Sequence, residues 1–411
     1  MSCLALGLDF GTSGARAVLA DPSGKILWQT RQEGLAPTCR AWHGALLNLI
    51  AALPIPFKPL VTRLAIAGTS ATTVLCDGAG RPVAEPLLYN DSRAQVCLAE
   101  LAQVAPPGHL TLSATSSLAK LFWYRSQPGF GEARHLLHQA DWLAACLHGR
   151  PGWSDWHNAL KLGYDPATET YPAWLRALPF AHLLPQVVAP GTPLGTVLPD
   201  LGLCRDCVVC AGTTDSMAAL IASGAGRPGD AVTSLGSTLV LKLVSEQRLE
   251  DNASGVYSHR LGQDWAAGGA SNCGGAVLRH FFSDLELVEL STRIDPEQPS
   301  PLNYYPLLRP GERFPIHDPH LDPRLEPRPA DPVEFLHGLL ESLARIEAQG
   351  YQKLQALGGP PVVQVLTAGG GSRNPTWTHI RQRHLGVPVR PADHQEAAYG
   401  AARLAALGGL V

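Results

Sequence analysis

The residues of this chain best suited to chemistry lie in short polar turns that follow apolar, strand-like runs. The first turn is Gly11-Thr12-Ser13-Gly14, entered from an apolar run that ends at Asp9 and left by a second apolar run. Glycine at 11 and 14 admits positive φ and lets a bulky anion approach backbone N–H groups. A carboxylate at a strand end can hold hydrated magnesium, which takes one or two carboxylates together with phosphate oxygens. Residues 4–21 therefore read as a β-hairpin whose turn can clamp phosphate, although an ordinary hairpin turn uses the same residue types. The pattern returns at 231–244, where Gly236-Ser237-Thr238 separates two apolar runs.

Two further turns add different groups. In residues 208–225 a strand, a Gly-Thr-Thr-Asp turn and a short helix place Asp215 in the first helical turn. There the helix dipole favours its ionised form, and it serves equally as a helix-end carboxylate or as a proton acceptor. Near the end, a strand over 362–368 runs into Gly369-Gly370-Gly371, and Asn374-Pro375 opens the next helix. Bare backbone before a helix start lets a flat base or ribose lie close. Smaller polar points are Gly68-Thr69-Ser70 after a strand at 64–67, and Asn90, Asp91 and Arg93 in the turn of PLLYNDSR. Between 113 and 165 come Lys120 on an amphipathic helix, then Asp155 and Asn158 among Trp142, Trp153 and Trp156. Amides and carboxylates beside indole rings suit a hydroxyl-rich small molecule, while each point taken singly also reads as a surface turn.

These turns need elements to hold them. The two similar hairpins suggest a duplicated sheet domain with one phosphate-contacting turn in each half. Helices are expected over 42–53, ended by Pro54 and Pro56, and from Asp331 (N-cap) through Pro332 and Glu334, with a stripe at 336, 339, 340, 343 and 346. That helix should end by Gly358-Gly359, and an alanine-rich helix over 395–407 closes the chain. Residues 300–331 are proline-rich and read as a long ordered surface connection.

With 411 residues the chain predicts two domains, or three small ones. Apolar residues at 45% and charged residues at 16% place it among globular chains. A net charge of -3 with no basic run gives no reason to expect nucleic acid or an anionic membrane as partner. No apolar stretch is long enough for a bilayer span, and the first strand starts almost at Met1, so a cytoplasmic protein is expected. Nine scattered cysteines predict reduced thiols. Cys204, Cys207 and Cys210 lack a fourth ligand at metal-site spacing, so buried or half-exposed thiols are expected there.

Taken together, DFGTSGAR, AGTTDSMAA, LGST and TAGGGSRNPTW resemble, in order, the FGGY carbohydrate kinases, of the actin and Hsp70-like ATPase superfamily. The similarity runs over essentially the whole chain. Within the family, GLDFGTSGARA, PLLYN, SSLAKL, HNALKLGY and AGTTDS are most similar to the D-ribulose kinases of cyanobacteria and plants. The resemblance implies an α/β fold of two ribonuclease-H-like domains with a central cleft. It implies a sugar-binding domain at 1–222, rejoined by a terminal helix at 395–411, and a nucleotide-binding domain at 223–394. ATP and Mg²⁺ would be the cofactors and a small sugar the partner. Asp215 would be the catalytic base, and Asp9 would hold Mg²⁺ and sugar. Gly11, Thr12, Ser13 and Gly14 would contact the γ-phosphate, with Thr12 joining the catalysis and Ser13, Gly14, Ser70 and Asp91 reaching the substrate. Gly236, Ser237 and Thr238 would form the second phosphate loop, and Gly370, Gly371, Asn374 and Trp377 would line the adenine pocket. One departure is Tyr89 in place of the tryptophan of the family's W-x-D-x-R sugar turn, and the chain is short for the family. Other acceptors (D-xylulose, glycerol or another polyol) and a non-kinase, actin-like ATPase remain open on this reading.

Overall fold

A computed structural model describes residues 3–12 and 14–409, and the chain divides into two compact units, Met1–Ala222 with Glu396–Val411, and Ser223–Gln395. The first unit begins with β1 (Leu4–Phe10), β2 (Gly14–Ala20), β3 (Ile26–Glu33), α1 (Cys39–Ala51), β4 (Val61–Gly68) and β5 (Thr73–Cys76). It continues with α2 (Leu98–Leu101), α3 (Ser117–Tyr124), β6 (His135–His138), α4 (Gln139–His148), β7 (Trp153–Asp155) and α5 (Trp156–Ala159). Then come α6 (Ala173–Arg176), β8 (Gln186–Val188), β9 (Pro193–Thr196), β10 (Val208–Cys210), β11 (Thr213–Thr214) and α7 (Asp215–Ser223). The second unit holds β12 (Asp230–Leu235), β13 (Leu239–Ser245), β14 (Tyr257–Leu261), β15 (Asp264–Ser271), α8 (Gly275–Phe281) and α9 (Asp284–Ser291). After α10 (Pro332–Ala356), β16 (Gln364–Ala368), α11 (Pro375–Leu385) and β17 (Val389–Pro391), α12 (Ala397–Leu407) returns to the first unit.

In the first unit the main sheet runs β3-β2-β1-β4-β10-β9, with β11 also paired to β4. β1 is antiparallel to β2 and parallel to β4, and β4 is parallel to β10 and β11. The register sets Asp9 opposite Arg16 and Ala67, and both Phe10 and Thr214 opposite Gly68. The carboxyl ends of β1, β4 and β11 therefore finish at one level, which is where α/β sheets gather their ligands.

Every residue of β1 is buried because both faces of the strand are covered. Leu4, Leu6, Leu8 and Phe10 pack with α1 and α4, whereas Ala5, Ala65 and Ala67 face the alanines of α12. That second face is almost bare backbone: a Cβ on Gly7 would lie 2.0 Å from the Ala398 carbonyl oxygen, and one on Gly400 1.8 Å from that of Ala218. Small residues thus seat α12 directly on β1 and α7, and α7 begins at Asp215.

The helix carrying Lys120 departs from expectation. In α3, residues 117–122 and 124 are all buried, so no polar face exists and Lys120 lies inside the protein. Trp142 is likewise core, against α1 and β4, and Trp156 packs on Ala159 and Tyr164 rather than presenting an open ring.

The sheet of the second unit runs β14-β15-β13-β12-β16-β17. As in the first, a hairpin (β12, β13) lies beside a parallel strand, with Ser234 opposite Ala368, so the turns at 236–238 and 369–371 leave the same edge. The Asp331 carboxylate caps α10 by accepting the Val333 amide at 2.9 Å, and Leu336, Leu339, Leu340, Leu343 and Ile346 are buried. A buried ion pair locks this layer. Arg381 donates to Glu347 at 2.6 and 2.7 Å and to Thr367 at 2.8 Å, while Thr233 donates to Glu347 at 2.5 Å. β12, β16, α10 and α11 are thereby tied at one point. The proline-rich segment contributes more than a surface connection. Tyr304, Tyr305, Leu307 and Phe314 join the core, and buried Glu312 accepts bonds from Ser271, the Asn272 amide and Tyr305.

Candidate active site

At the carboxyl end of β1, Asp9 is 2% exposed. Its Oδ2 meets Arg16 Nη1 at 3.4 Å, while Oδ1 is buried with no hydrogen-bond partner among the described residues. Burial first, then the charge of Asp215, pushes its carboxyl up to about 7, with Glu396 adding to the rise and Arg16 opposing it. A buried carboxylate oxygen without a donor is costly unless a cation or proton satisfies it. Hard oxygen donors of this kind fit Mg²⁺, which keeps most of its waters. No group of three or more His, Cys, Asp or Glu suited to a metal occurs among the described residues. Arg16 also meets Glu396 at 3.3 Å; neither partner was singled out in the sequence, because only the register brings them to Asp9.

The turn after β1 closes through the Gly11 amide, which donates to Gly14 O at 3.0 Å. Thr12 is exposed, Gly14 is buried, and Ser13 lies outside the described residues. Gly14 has a clear backbone reason: a Cβ there would stand 2.2 Å from the Gln32 carbonyl oxygen. Asp215, half-buried, opens α7, and its Oδ1 accepts the Ser216 amide at 2.7 Å. Two residues earlier, Thr213 Oγ1 lies 2.7 Å from His157 Nδ1, so α5 braces the strand that delivers Asp215.

After β4, buried Thr69 donates its amide to Gln139 Oε1 at 3.1 Å and pairs its hydroxyl with Thr72 at 2.6 Å. Ser70 follows, half-buried, between two pinned neighbours. Asp91 is occupied by its own turn: Arg93 holds both carboxylate oxygens, with Nη2 2.7 Å from Oδ2, and the Arg93 guanidinium lies 4.8 Å over the Trp123 ring. Those bonds from Arg93 hold the Asp91 carboxyl below its usual range. Asp155 caps α5, accepting the His157 and Asn158 amides at 2.8 and 3.0 Å, and Asn158 Oδ1 is buried without a partner among the described residues.

In the second unit, the Gly236–Thr238 turn and α8 are joined. The Gly275 and Ala276 amides donate to Gly236 O and Ser237 O at 2.9 and 3.1 Å, and Arg279 Nη2 donates to exposed Ser237 Oγ at 3.1 Å. Beside this turn is a cavity of about 530 Å³ walled by Leu235, Leu278, Leu287, Val288, Gly370, Gly371 and Trp377. Trp377 backs onto Gly371, where a Cβ would lie 2.6 Å from the indole ring. Asn374 caps α11 through the Trp377 amide at 3.0 Å and donates to Ser291 at 2.8 Å, so it fixes the wall as well as lining the space. Apolar walls with a few polar groups suit a flat heteroaromatic ring. The sequence showed the glycines and Trp377 but not Leu278, Arg279, Leu287 or Val288, whose helices α8 and α9 carry no motif of their own.

Residues 231–408 match the C-terminal domain of the FGGY family of carbohydrate kinases. The chain is 28% identical to a xylulose kinase of Streptomyces coelicolor, over 98% of this chain and 87% of the relative. With a xylulose kinase of Escherichia coli the identity is 25%, over 97% and 89%. Among solved structures, a xyloylose kinase from Brucella ovis superposes with a TM-score of 0.85 at 25% identity, covering 99% of this chain and 91% of that one. The two units have the ribonuclease-H-like fold of the actin and Hsp70 type. Residues 231–408 thus carry the match to the FGGY family of carbohydrate kinases, and the chain is similar to xylulose kinases along nearly all of its length.

Proposed function

We propose that this chain transfers the γ-phosphoryl group of ATP to the terminal hydroxyl, O5, of D-ribulose, with Asp215 as general base. The observation that carries this reading is the register of the first unit, which brings Asp9, the 69–72 loop and Asp215 to the carboxyl ends of three neighbouring strands. Asp215 takes the proton of the sugar hydroxyl as its oxygen forms a bond to the γ-phosphorus. The phosphorus–oxygen bond to ADP breaks, and its electron pair leaves with ADP. One positioned base of this kind supplies about 10²–10⁴-fold in rate.

Phosphoryl transfer otherwise needs positioning and charge stabilisation. Gly11, Thr12 and Gly14 are assigned to the transferring group, together with Ser13 from outside the described residues. Mg²⁺ held by Asp9 would offset charge on the phosphate oxygens. Gly236, Ser237 and Thr238 form the second phosphate loop, and the cavity bounded by Gly370, Gly371, Asn374 and Trp377 takes adenine. Asp9, Ser13, Gly14, Ser70 and Asp91 are assigned to the sugar; Asp91 acts as a pair with Arg93, because its carboxylate is already bound there. No described helix is long and apolar enough to cross a membrane, and a cytoplasmic role remains part of the proposal.

A second reading, D-xylulose as acceptor, is favoured by the names of the relatives above. The two ketopentoses differ at one carbon centre, a distinction that hydrogen-bonding side chains can read. ADP release measured with D-ribulose, D-xylulose, glycerol and no sugar, with products identified by mass spectrometry, separates these readings. A pentose phosphate formed from D-ribulose at the highest kcat/KM is expected. ADP release indifferent to every sugar would leave an ATPase and remove the kinase.

A further inference from the structure

Lys120 is fully buried in the middle of α3, a rare setting for an ammonium group. Its Nζ donates to two backbone carbonyls, Ala71 O at 2.7 Å and Leu88 O at 2.6 Å. These carbonyls belong to separate segments. The first lies in the loop that leaves β4 and carries Ser70; the second precedes the turn that holds Asp91 and Arg93. Ala71 has φ +64°, a left-handed conformation that a residue with a Cβ keeps only when its surroundings impose it. On one side that loop is held by Thr69, Thr72 and Gln139; on the other, the Ala71 carbonyl is held by Lys120.

The base of the lysine is itself fixed. Ser117 Oγ lies 3.0 Å from His138 Nε2, and His138 Nδ1 lies 2.9 Å from Asp141 Oδ2. This set has the connectivity of a hydrolytic triad, but serine and histidine are wholly buried, so it anchors α3 to α4 and offers no nucleophile. Burial pushes the Lys120 amine down to about 7, with Lys161 adding to the fall and Asp91 opposing it. A neutral amine has two N–H groups, and Lys120 has two carbonyl acceptors.

We propose that Lys120 is a positioning residue for the acceptor sugar: by bonding Ala71 and Leu88 it sets the spacing of the Ser70 loop and the Asp91 turn. The inference rests on the reading that these two segments face the sugar. The cavity assigned to adenine is lined by residues 235–377 alone, so a change at Lys120 is expected to act on the sugar and not on ATP.

The test is steady-state kinetics on the full chain, with sugar and ATP varied separately and thermal melting run on every variant. Lys120→Met keeps the stem and removes the donors; Lys120→Gln keeps an N–H donor on a shorter stem. A displacement of about 1 Å costs up to about 100-fold in such sites, so Lys120→Met should raise the sugar KM by about tenfold or more, with the ATP KM unchanged. Glycine adopts φ +64° without strain, so Ala71→Gly added to Lys120→Met should recover part of that loss. An unchanged sugar KM in folded Lys120→Met would overturn the proposal. So would equal losses for sugar and ATP, no recovery from Ala71→Gly, or failure of both Lys120 variants to fold. Wild-type protein whose ADP release ignores every sugar would overturn the kinase reading itself, a result distinct from all of these.

Discussion

Asp9 and Asp215 show how much a residue's role depends on the strand end that presents it. Both were visible in the sequence, because an apolar run that stops at a carboxylate or a small-residue turn is a local pattern. Arg16, Glu396, Lys120 and His157 were not visible as partners, because register and burial, not spacing, bring them into place. Lys120 was misread for a specific reason: α3 is buried all round, so a helical period could not reveal which face held it. Asp155 gives a test at this scale. Burial, with the charge of Asp141 adding, raises its carboxyl from 3.8 to about 8, so the fold favours the neutral acid. Its contribution to stability is complete below the unfolded value of 3.8 and is lost as pH rises through about 8. Asparagine caps a helix as well as aspartate and does not titrate. Between about pH 5 and about pH 9 the melting temperature of wild type should therefore fall relative to Asp155→Asn. Parallel curves would show an Asp155 that is ionised throughout.

At the scale of elements, helix caps and hairpins carried the reading furthest. Asp331-Pro332 starts α10 where the capping residues placed it, and the buried stripe from 336 to 346 follows. The proline-rich segment was harder, since Tyr304, Tyr305 and Phe314 enter the core through contacts distant in sequence. The 369–371 turn was legible as a glycine run, yet its mechanical reason appears only in three dimensions. A Cβ at Gly371 would meet Trp377 at 2.6 Å and Leu235 at 2.8 Å. Gly371→Ala must push one of these into the cavity, an overpacking that costs about 1–3 kcal/mol. The ATP KM should rise by about tenfold with the sugar KM unchanged, which separate saturation curves would check. An unchanged ATP KM would move the nucleotide elsewhere.

For the whole molecule, the repeated design was the most readable feature: each unit sets a hairpin beside a parallel strand and sends its turns from the same edge. The return of α12 to the first unit was legible only through family resemblance, since an alanine-rich helix does not name its partner. Its packing makes it indispensable. Ending the chain at 395 would expose the Ala5, Ala65 and Ala67 face of the first sheet and should abolish soluble folded protein. Gly7→Ala is the milder form of the same test. The Cβ would overlap backbone at 398 and 402, which no side-chain rotation relieves, so a drop in melting temperature of several degrees is expected by calorimetry. A soluble, cooperatively melting 1–395 fragment would contradict this account of the fold.

The most direct test of the central claim is the turnover of Asp215→Ala with D-ribulose and ATP, alongside wild type and after ATP binding to the variant is verified. Wild type should form a pentose phosphate, and kcat should fall by at least about 100-fold in the variant with ATP binding retained. A variant that binds ATP and turns over D-ribulose at the wild-type rate would show that Asp215 is not the base.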